Sequence, residues 1–248
     1  MRIALSLLAT SFLVATAAAA PAEPRILVYG DSNSWGWSPV ETGFPAERHP
    51  DAVRWPGVLE AGLATMGLST TVVVDALSGR TIATPYSEPQ NGIEGAAFAG
   101  LPDVAAAAAA ELPLDLVIVM LGTNDARSDL DVPPRDAGRD VAALVARLEA
   151  LNGGVSTPYP APAVLVVAPP AIGDTSRTPI AGVTEDGATR SDAIADAIVA
   201  AGVTAGFPVF DARAVVTVHG VDGVHLTAQD HAALGQALIP VVAPLLDR

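Results

Sequence analysis

Five short apolar segments, each bounded by glycine, proline or polar residues, recur along this chain of 248 residues. They are Arg25–Tyr29, Thr70–Ala76, Leu114–Leu121, Ala163–Ala168 and Phe207–Phe210. Their apolar residues run continuously instead of alternating with polar ones, which is typical of parallel strands that are buried on both faces. The pattern therefore predicts a parallel sheet that other elements cover on both sides.

Segments with helical character lie between and after these runs. They are Val53–Met66, Val104–Glu111, Asp136–Leu151, Ser191–Ala205 and Thr227–Leu246. The regular alternation of strand and helix favours right-handed crossovers and places the chain in the α/β class. We expect one domain over residues 23–248, built as a three-layer α/β/α sandwich with a five-stranded, flavodoxin-like parallel sheet.

The N-terminus differs from the rest of the chain: Arg2 precedes an apolar run at 3–14 and a small-residue stretch at 15–22. This order predicts a secretory signal peptide over residues 1–22, although a first helix or a membrane anchor would also fit. No later apolar stretch reaches the roughly 18 residues of a membrane span. We therefore expect the mature chain in the periplasm or outside the cell, without stable insertion in a membrane.

Composition excludes several kinds of chemistry. The chain has no cysteine, and all 13 basic residues are arginine, so disulfides, thiol nucleophiles and lysine-dependent catalysis are excluded. The formal net charge of −14 argues against nucleic acid as a partner, because nucleic acid is a polyanion. No feature of the sequence requires a cofactor.

The first polar motif is Gly30-Asp31-Ser32-Asn33-Ser34, directly after the first predicted strand. A serine there lies at the edge of the sheet, beside backbone N–H groups that could stabilise an oxyanion. The motif is not the nucleophile elbow of α/β-hydrolases, because Ser34 replaces the second glycine. An ordinary strand-to-turn junction is the alternative interpretation.

A second motif, Asp222-Gly-Val-His225, precedes the last predicted helix. A serine hydroxyl needs a base, and an imidazole held by a carboxylate supplies one near neutral pH. Asp222 and His225 can contact each other within one short turn. Zinc ligation by His219, Asp222 and His225 is an alternative, as is a plain surface loop, but no further cluster completes a metal site. We expect no metal.

Two further strand ends carry candidate hydrogen-bond donors. Asn124, in Gly-Thr-Asn-Asp, could point its amide N–H₂ into a site, and Gly79, in Ser-Gly-Arg-Thr, could offer its backbone N–H. Ordinary glycine-containing turns are the alternative for both. Two long loops, Asn33–Ala52 and Pro169–Arg190, follow predicted strands, and Trp37 in the first could form a wall of an acyl pocket or pack in the core.

Together, these motifs resemble the four blocks of the SGNH (GDSL-type) hydrolase superfamily, in the family's order and over essentially Arg25 to the C-terminus. The resemblance implies that Ser32 is the nucleophile, His225 the general base and acid, and Asp222 its orienting carboxylate. It also implies an oxyanion hole formed by the backbone N–H groups of Ser32 and Gly79 and the amide of Asn124. Asn33 departs from the pattern, because the family usually has leucine there.

Several shorter segments are similar to the arylesterase and acyltransferase branch of that superfamily. They include Ser-Trp-Gly-Trp at 34–37, Leu-Ser-Gly-Arg-Thr at 77–81 and Thr-Pro-Tyr-Pro-Ala-Pro at 157–162. Members of that branch cleave small acyl esters, some transfer the acyl group to alcohols, and they often form homo-oligomers. The resemblance implies a short-chain serine esterase acting on a small-molecule ester. The alternatives are a carbohydrate acetylesterase or a lysophospholipase and, more remotely, a metal-dependent hydrolase or a non-catalytic binding module.

Overall fold

The computed structural model describes residues 23–39, 47–154, 156–176, 182–183 and 186–246. The predicted signal peptide over residues 1–22 lies outside these ranges, as do parts of both long loops. Within the described ranges, no helix is both long enough and apolar enough to cross a membrane.

The strands in the described residues are β1 Arg25–Gly30, β2 Thr71–Ala76, β3 Leu116–Met120, β4 Gly153–Gly154, β5 Thr157–Pro158, β6 Ala163–Ala168 and β7 Val209–Asp211. Five of them form one parallel sheet in the order β2-β1-β3-β6-β7, while β4 and β5 form a separate antiparallel pair. After β1, the chain adds β2 on one side of it and then β3 on the other side, so the order of strands switches direction between β1 and β3. In open α/β sheets, ligands bind at such a switch point, outside the carboxyl ends of the strands.

The α-helices in the same residues are α1 Ser32–Trp35, α2 Trp55–Thr65, α3 Gly100–Glu111, α4 Pro134–Glu149, α5 Gly187–Ala205 and α6 Ala228–Leu246. Alternate residues of each central strand pack into two different cores. Leu27 and Val117 face α3, α4 and α5, whereas Ile26 and Ile118 face α2 and α6. The predicted three-layer α/β/α sandwich with a five-stranded parallel sheet is therefore confirmed.

Helix starts are where the sequence-based bounds differ most from the structure. Helix α3 begins at Gly100 and not at the predicted Val104, and α5 begins at Gly187 and not at Ser191. The missed first turn of α3 is Gly-Leu-Pro-Asp, in which glycine and proline favour helix ends over helix interiors, so the sequence pattern gives the turn little helical signal. The start of α6 is clearer, because the Thr227 side chain accepts from the Asp230 N–H at 3.2 Å and the Asp230 carboxylate accepts from the Thr227 N–H at 2.9 Å.

Candidate active site

Ser32 lies at the carboxyl end of β1, where the chain turns sharply into the short helix α1. The turn is fixed by Asp31, whose carboxylate accepts a hydrogen bond of 2.9 Å from the Asn33 N–H. One turn later, Gly36 adopts the left-handed conformation (φ 95°) and donates to the Ser32 carbonyl oxygen, which ends the helix. The Ser32 side chain is thereby held at the edge of the sheet.

The loop before α6 holds His225 through Asp222. One oxygen of the Asp222 carboxylate accepts from the Val224 and His225 N–H groups at 3.0 and 2.9 Å. The other oxygen lies 2.8 Å from Nδ1 of the His225 ring. Burial alone would raise the pKa of Asp222, but the hydrogen bond and charge of His225 keep it below its ordinary value. Asp222 thus remains an ionised acceptor that orients the imidazole.

The structure brings Ser32 and His225 together although 193 residues separate them: the Ser32 Oγ and the His225 Nε2 are 3.0 Å apart. A neutral imidazole with its proton on Nδ1, facing Asp222, has a free lone pair on Nε2 facing the hydroxyl. The ring of Trp37 stacks on the His225 ring, with centroids 4.9 Å apart and planes inclined by 14°. This arrangement can take the proton from a serine that attacks a carbonyl.

The three sequence-predicted oxyanion donors, Ser32, Gly79 and Asn124, all line one cavity. Among the described residues, the N–H groups of Ser32 and Gly79 donate to no recorded acceptor, so both are available to a ligand. Gly79 has a φ of +91°, and its carbonyl oxygen accepts a 2.9 Å hydrogen bond from the Tyr86 hydroxyl. The Asn124 amide donates to the Arg80 carbonyl oxygen at 3.0 Å, which fixes its orientation.

The cavity in front of Ser32 has a volume of about 310 Å³, which suits a small ester. Its apolar walls come from several segments: Trp37, Leu77, Tyr86, Ile93, Phe98, Val183 and Val224. Gln90, Asn91 and Arg127 add polar groups. Of these residues, sequence reasoning singled out only Trp37, because aromatic and apolar residues in loops carry no periodic signal.

Known proteins resemble this chain in sequence and in fold. A sequence model described as the GDSL-like Lipase/Acylhydrolase family matches residues 28–233. The chain belongs to the GDSL-like lipase/acylhydrolase family. The predicted membership of the SGNH (GDSL-type) superfamily is thereby confirmed.

Several solved structures that resemble this chain are described as esterases. An aryl esterase from M. smegmatis is 37% identical with a TM-score of 0.81, covering 90% of this chain and 100% of that chain. A carbohydrate acetylesterase from Sinorhizobium meliloti is 34% identical with a TM-score of 0.80, covering 90% and 99%. A second protein from that organism, described as a carbohydrate acetylesterase family member, is 28% identical with a TM-score of 0.77, covering 91% and 100%. No curated protein matches the chain significantly. The chain is a carboxylic ester hydrolase of the GDSL family.

Two carboxyl groups of this GDSL-family hydrolase, those of Asp31 and Asp125, are buried, and each belongs to the chain neighbour of a residue that lines the cavity. Burial raises the pKa of Asp31 and of Asp125 to about 7 each, against the hydrogen bonds that stabilise their charged forms. Asp125 accepts from the Ile82 N–H at 3.0 and 3.2 Å, and one Asp31 oxygen lies 3.5 Å from the Asn124 amide nitrogen. Both residues fix strand ends around the cavity, and sequence reasoning gave neither of them a role.

The zinc alternative finds no support in the arrangement of these side chains. His219 lies 3.1 Å from Asp230 instead of joining Asp222 and His225, which bind each other. In the described part of the chain, no three histidine, cysteine, aspartate or glutamate side chains are grouped so that they could hold a metal ion.

Proposed function

We propose that this GDSL-family hydrolase is a serine esterase that cleaves short-chain acyl or aryl esters through an acyl-enzyme. The observation that carries the proposal is the chain of contacts from Ser32 to His225 at 3.0 Å and from His225 to Asp222 at 2.8 Å. These contacts lie beside a mostly apolar cavity, with free N–H donors next to the hydroxyl.

In the first half-reaction, the Ser32 Oγ attacks the ester carbonyl carbon while His225 Nε2 takes the hydroxyl proton. The carbonyl oxygen becomes negative and accepts hydrogen bonds from the Ser32 and Gly79 N–H groups and from the Asn124 amide. The carbon–oxygen bond to the leaving group then breaks. His225 returns its proton to that oxygen, which releases the alcohol and leaves the acyl group on Ser32.

In the second half-reaction, water attacks the acyl carbon and His225 takes the proton of that water. The bond to Ser32 breaks, the serine recovers its proton from His225, and the carboxylic acid leaves. An alcohol in place of water gives a new ester, so acyl transfer uses the same groups. The ratio of ester to acid formed from a vinyl ester in the presence of added alcohol measures the partition between the two nucleophiles.

Replacing the nucleophile tests the proposal directly. Ser32→Ala is expected to lose nearly all covalent turnover of a short-chain nitrophenyl ester. Ser34→Ala is the matched control, because its hydroxyl lies in the same turn, is buried and has no hydrogen-bond partner in the described residues. A folded Ser32→Ala protein that keeps wild-type turnover would overturn the proposal.

A carbohydrate acetyl ester is a second candidate substrate for the same chemistry. It is favoured by the likeness to the Sinorhizobium meliloti acetylesterase and by the polar groups of Gln90, Asn91 and Arg127 along the cavity. Hydroxyl-rich leaving groups need such donors and acceptors. Comparing kcat/KM for acetylated sugars with that for aryl acetates decides between the two substrate classes.

We further propose that the chain is exported, on the sequence pattern of residues 1–22. Mass spectrometry of the protein from its native host is expected to find a new N-terminus near Ala19 or Ala22. A mature protein that retains Met1 would contradict export.

A further inference from the structure

Asn33 joins the nucleophile turn to the loop that carries the base. Its amide nitrogen donates to the Val224 carbonyl oxygen at 3.2 Å, and its amide oxygen accepts from the Leu226 N–H at 3.1 Å. Val224 and Leu226 are the two chain neighbours of His225, so the Asn33 side chain contacts the backbone on both sides of the imidazole. The Asn33 side chain is buried, with 1% of its surface exposed.

The same residue is fixed at its other end. The Asn33 N–H donates to Asp31 at 2.9 Å, and the preceding residue in the chain is Ser32. The backbone positions of the hydroxyl and of the imidazole are therefore linked through a single amide side chain. The hydrogen bond from Ser32 to His225 closes this loop of contacts.

Leucine, the usual residue of the superfamily at this position, can make neither bond. A leucine at position 33 would leave the Val224 carbonyl oxygen and the Leu226 N–H without the hydrogen bonds that Asn33 makes to them, and both residues are buried. Unpaired buried backbone groups are unfavourable, so the loop would shift to find other partners. Such a shift changes the distance between His225 and Ser32.

We infer that Asn33 is a positioning residue that sets the distance between the Ser32 hydroxyl and the His225 imidazole. The inference rests on the proposed function, because it assumes that these two groups react. Asn33, the residue that departs from the family pattern, thus acts in the chemical step and not in substrate binding. Displacement of a reacting group by about 1 Å can cost roughly 10²-fold in rate.

The test compares Asn33→Leu with Ser34→Ala, the neighbouring buried side chain that makes no recorded hydrogen bond. Steady-state kinetics on a nitrophenyl ester and the rate and stoichiometry of labelling by a fluorophosphonate are measured for both. We expect Asn33→Leu to lose about 10²-fold in kcat with little change in KM, and to label slowly but completely. Ser34→Ala is expected to keep the wild-type values.

A purely structural role for Asn33 gives a different result. If Asn33 serves only folding, a misfolded fraction that cannot refold stays unlabelled while the folded remainder labels at the wild-type rate, so the stoichiometry falls, and that outcome overturns the inference. Wild-type turnover by folded Asn33→Leu overturns it as well. If Ser32→Ala is inactive in the same experiment, only the inference about Asn33 has failed; if Ser32→Ala is active, the proposed function itself has failed.

Two measurements keep the test decisive if Asn33→Leu does not fold. Asn33→Asp keeps the size and the acceptor for Leu226 but loses the donor to Val224, and it is expected to react more slowly than the wild-type protein. In the wild-type protein, the Leu226 amide is expected to resist hydrogen exchange, because it donates to a buried acceptor. Rapid exchange of that amide would contradict the inference.

Discussion

The Asp222→Asn substitution keeps the size of the side chain but removes its negative charge and one of its two acceptor oxygens. The asparagine amide oxygen can still accept from the Val224 and His225 N–H groups, which bind one oxygen of Asp222 in the wild-type protein. The amide nitrogen then occupies the position of the oxygen that lies 2.8 Å from His225 Nδ1. Because that nitrogen donates hydrogen bonds, Nδ1 must become an acceptor, and the imidazole proton moves to Nε2.

An imidazole in that tautomer presents N–H to Ser32 and cannot take the serine proton. The substitution also removes the negative charge of Asp222, which stabilises the imidazolium in the transition state. In another Ser-His-Asp hydrolase, this change of aspartate to asparagine lowers kcat by about 10⁴. We expect a loss of similar size here, about 5 kcal/mol in activation free energy, with KM little changed.

Asp230→Asn is the matched control for this experiment. Asp230 also pairs with a histidine, His219, at 3.1 Å, and is 4% exposed, but neither residue lines the cavity. Both variants are assayed for kcat and KM on a nitrophenyl acetate, and circular dichroism checks that they are folded. Folded Asp222→Asn with kcat close to that of Asp230→Asn would refute the role assigned to Asp222.

Three further predictions concern the proposed oxyanion donors and the buried histidine. Asn124→Ala is expected to lower kcat by roughly 10²–10³ in steady-state kinetics with little change in KM, and an unchanged kcat would remove Asn124 from the oxyanion hole. Tyr86→Phe removes the hydrogen bond to the Gly79 carbonyl oxygen and should lower kcat, whereas Tyr29→Phe, which loses an equal 2.9 Å bond to a carbonyl outside the cavity, should not. Burial lowers the pKa of His231 from 6.5 to about 3, so between these two pH values the unfolded chain binds a proton that the folded protein does not. The free energy of unfolding of the wild-type protein should therefore fall between pH 7 and pH 5 by about 2 kcal/mol more than that of His231→Gln. Urea titrations at the two pH values measure both, and equal losses would contradict the lowered pKa of His231.

The positions of the strands along the chain and the pairing of Asp222 with His225 could be predicted from the sequence because each depends on a local pattern. Continuous apolar runs such as Ala163–Ala168 mark strands that are buried on both faces, and that run has the bounds of β6. Asp222 and His225 contact each other within one turn, so their pairing was also within reach of local reasoning. The pairing of Ser32 with His225, 193 positions apart, was predicted only through the resemblance to the SGNH (GDSL-type) superfamily.

The walls of the cavity and the links between loops could not be predicted from local patterns. Tyr86 and Phe98 come from an irregular segment between β2 and α3, where no periodicity shows which side chain faces the site. The bonds of Asn33 join residues 191 and 193 positions apart, and a single sequence gives no signal for such pairs. His219 could not be assigned to Asp230 for a similar reason, since its spacing to Asp222 and His225 suggested a different site.

The formation of a covalent bond to Ser32 is tested most directly by a fluorophosphonate that carries a mass label. After reaction and proteolysis, mass spectrometry locates the modified residue. We expect one adduct per chain, on Ser32, which fails to form in Ser32→Ala and forms much more slowly in His225→Ala. An adduct on another residue, or labelling that does not depend on His225, would contradict the proposed mechanism.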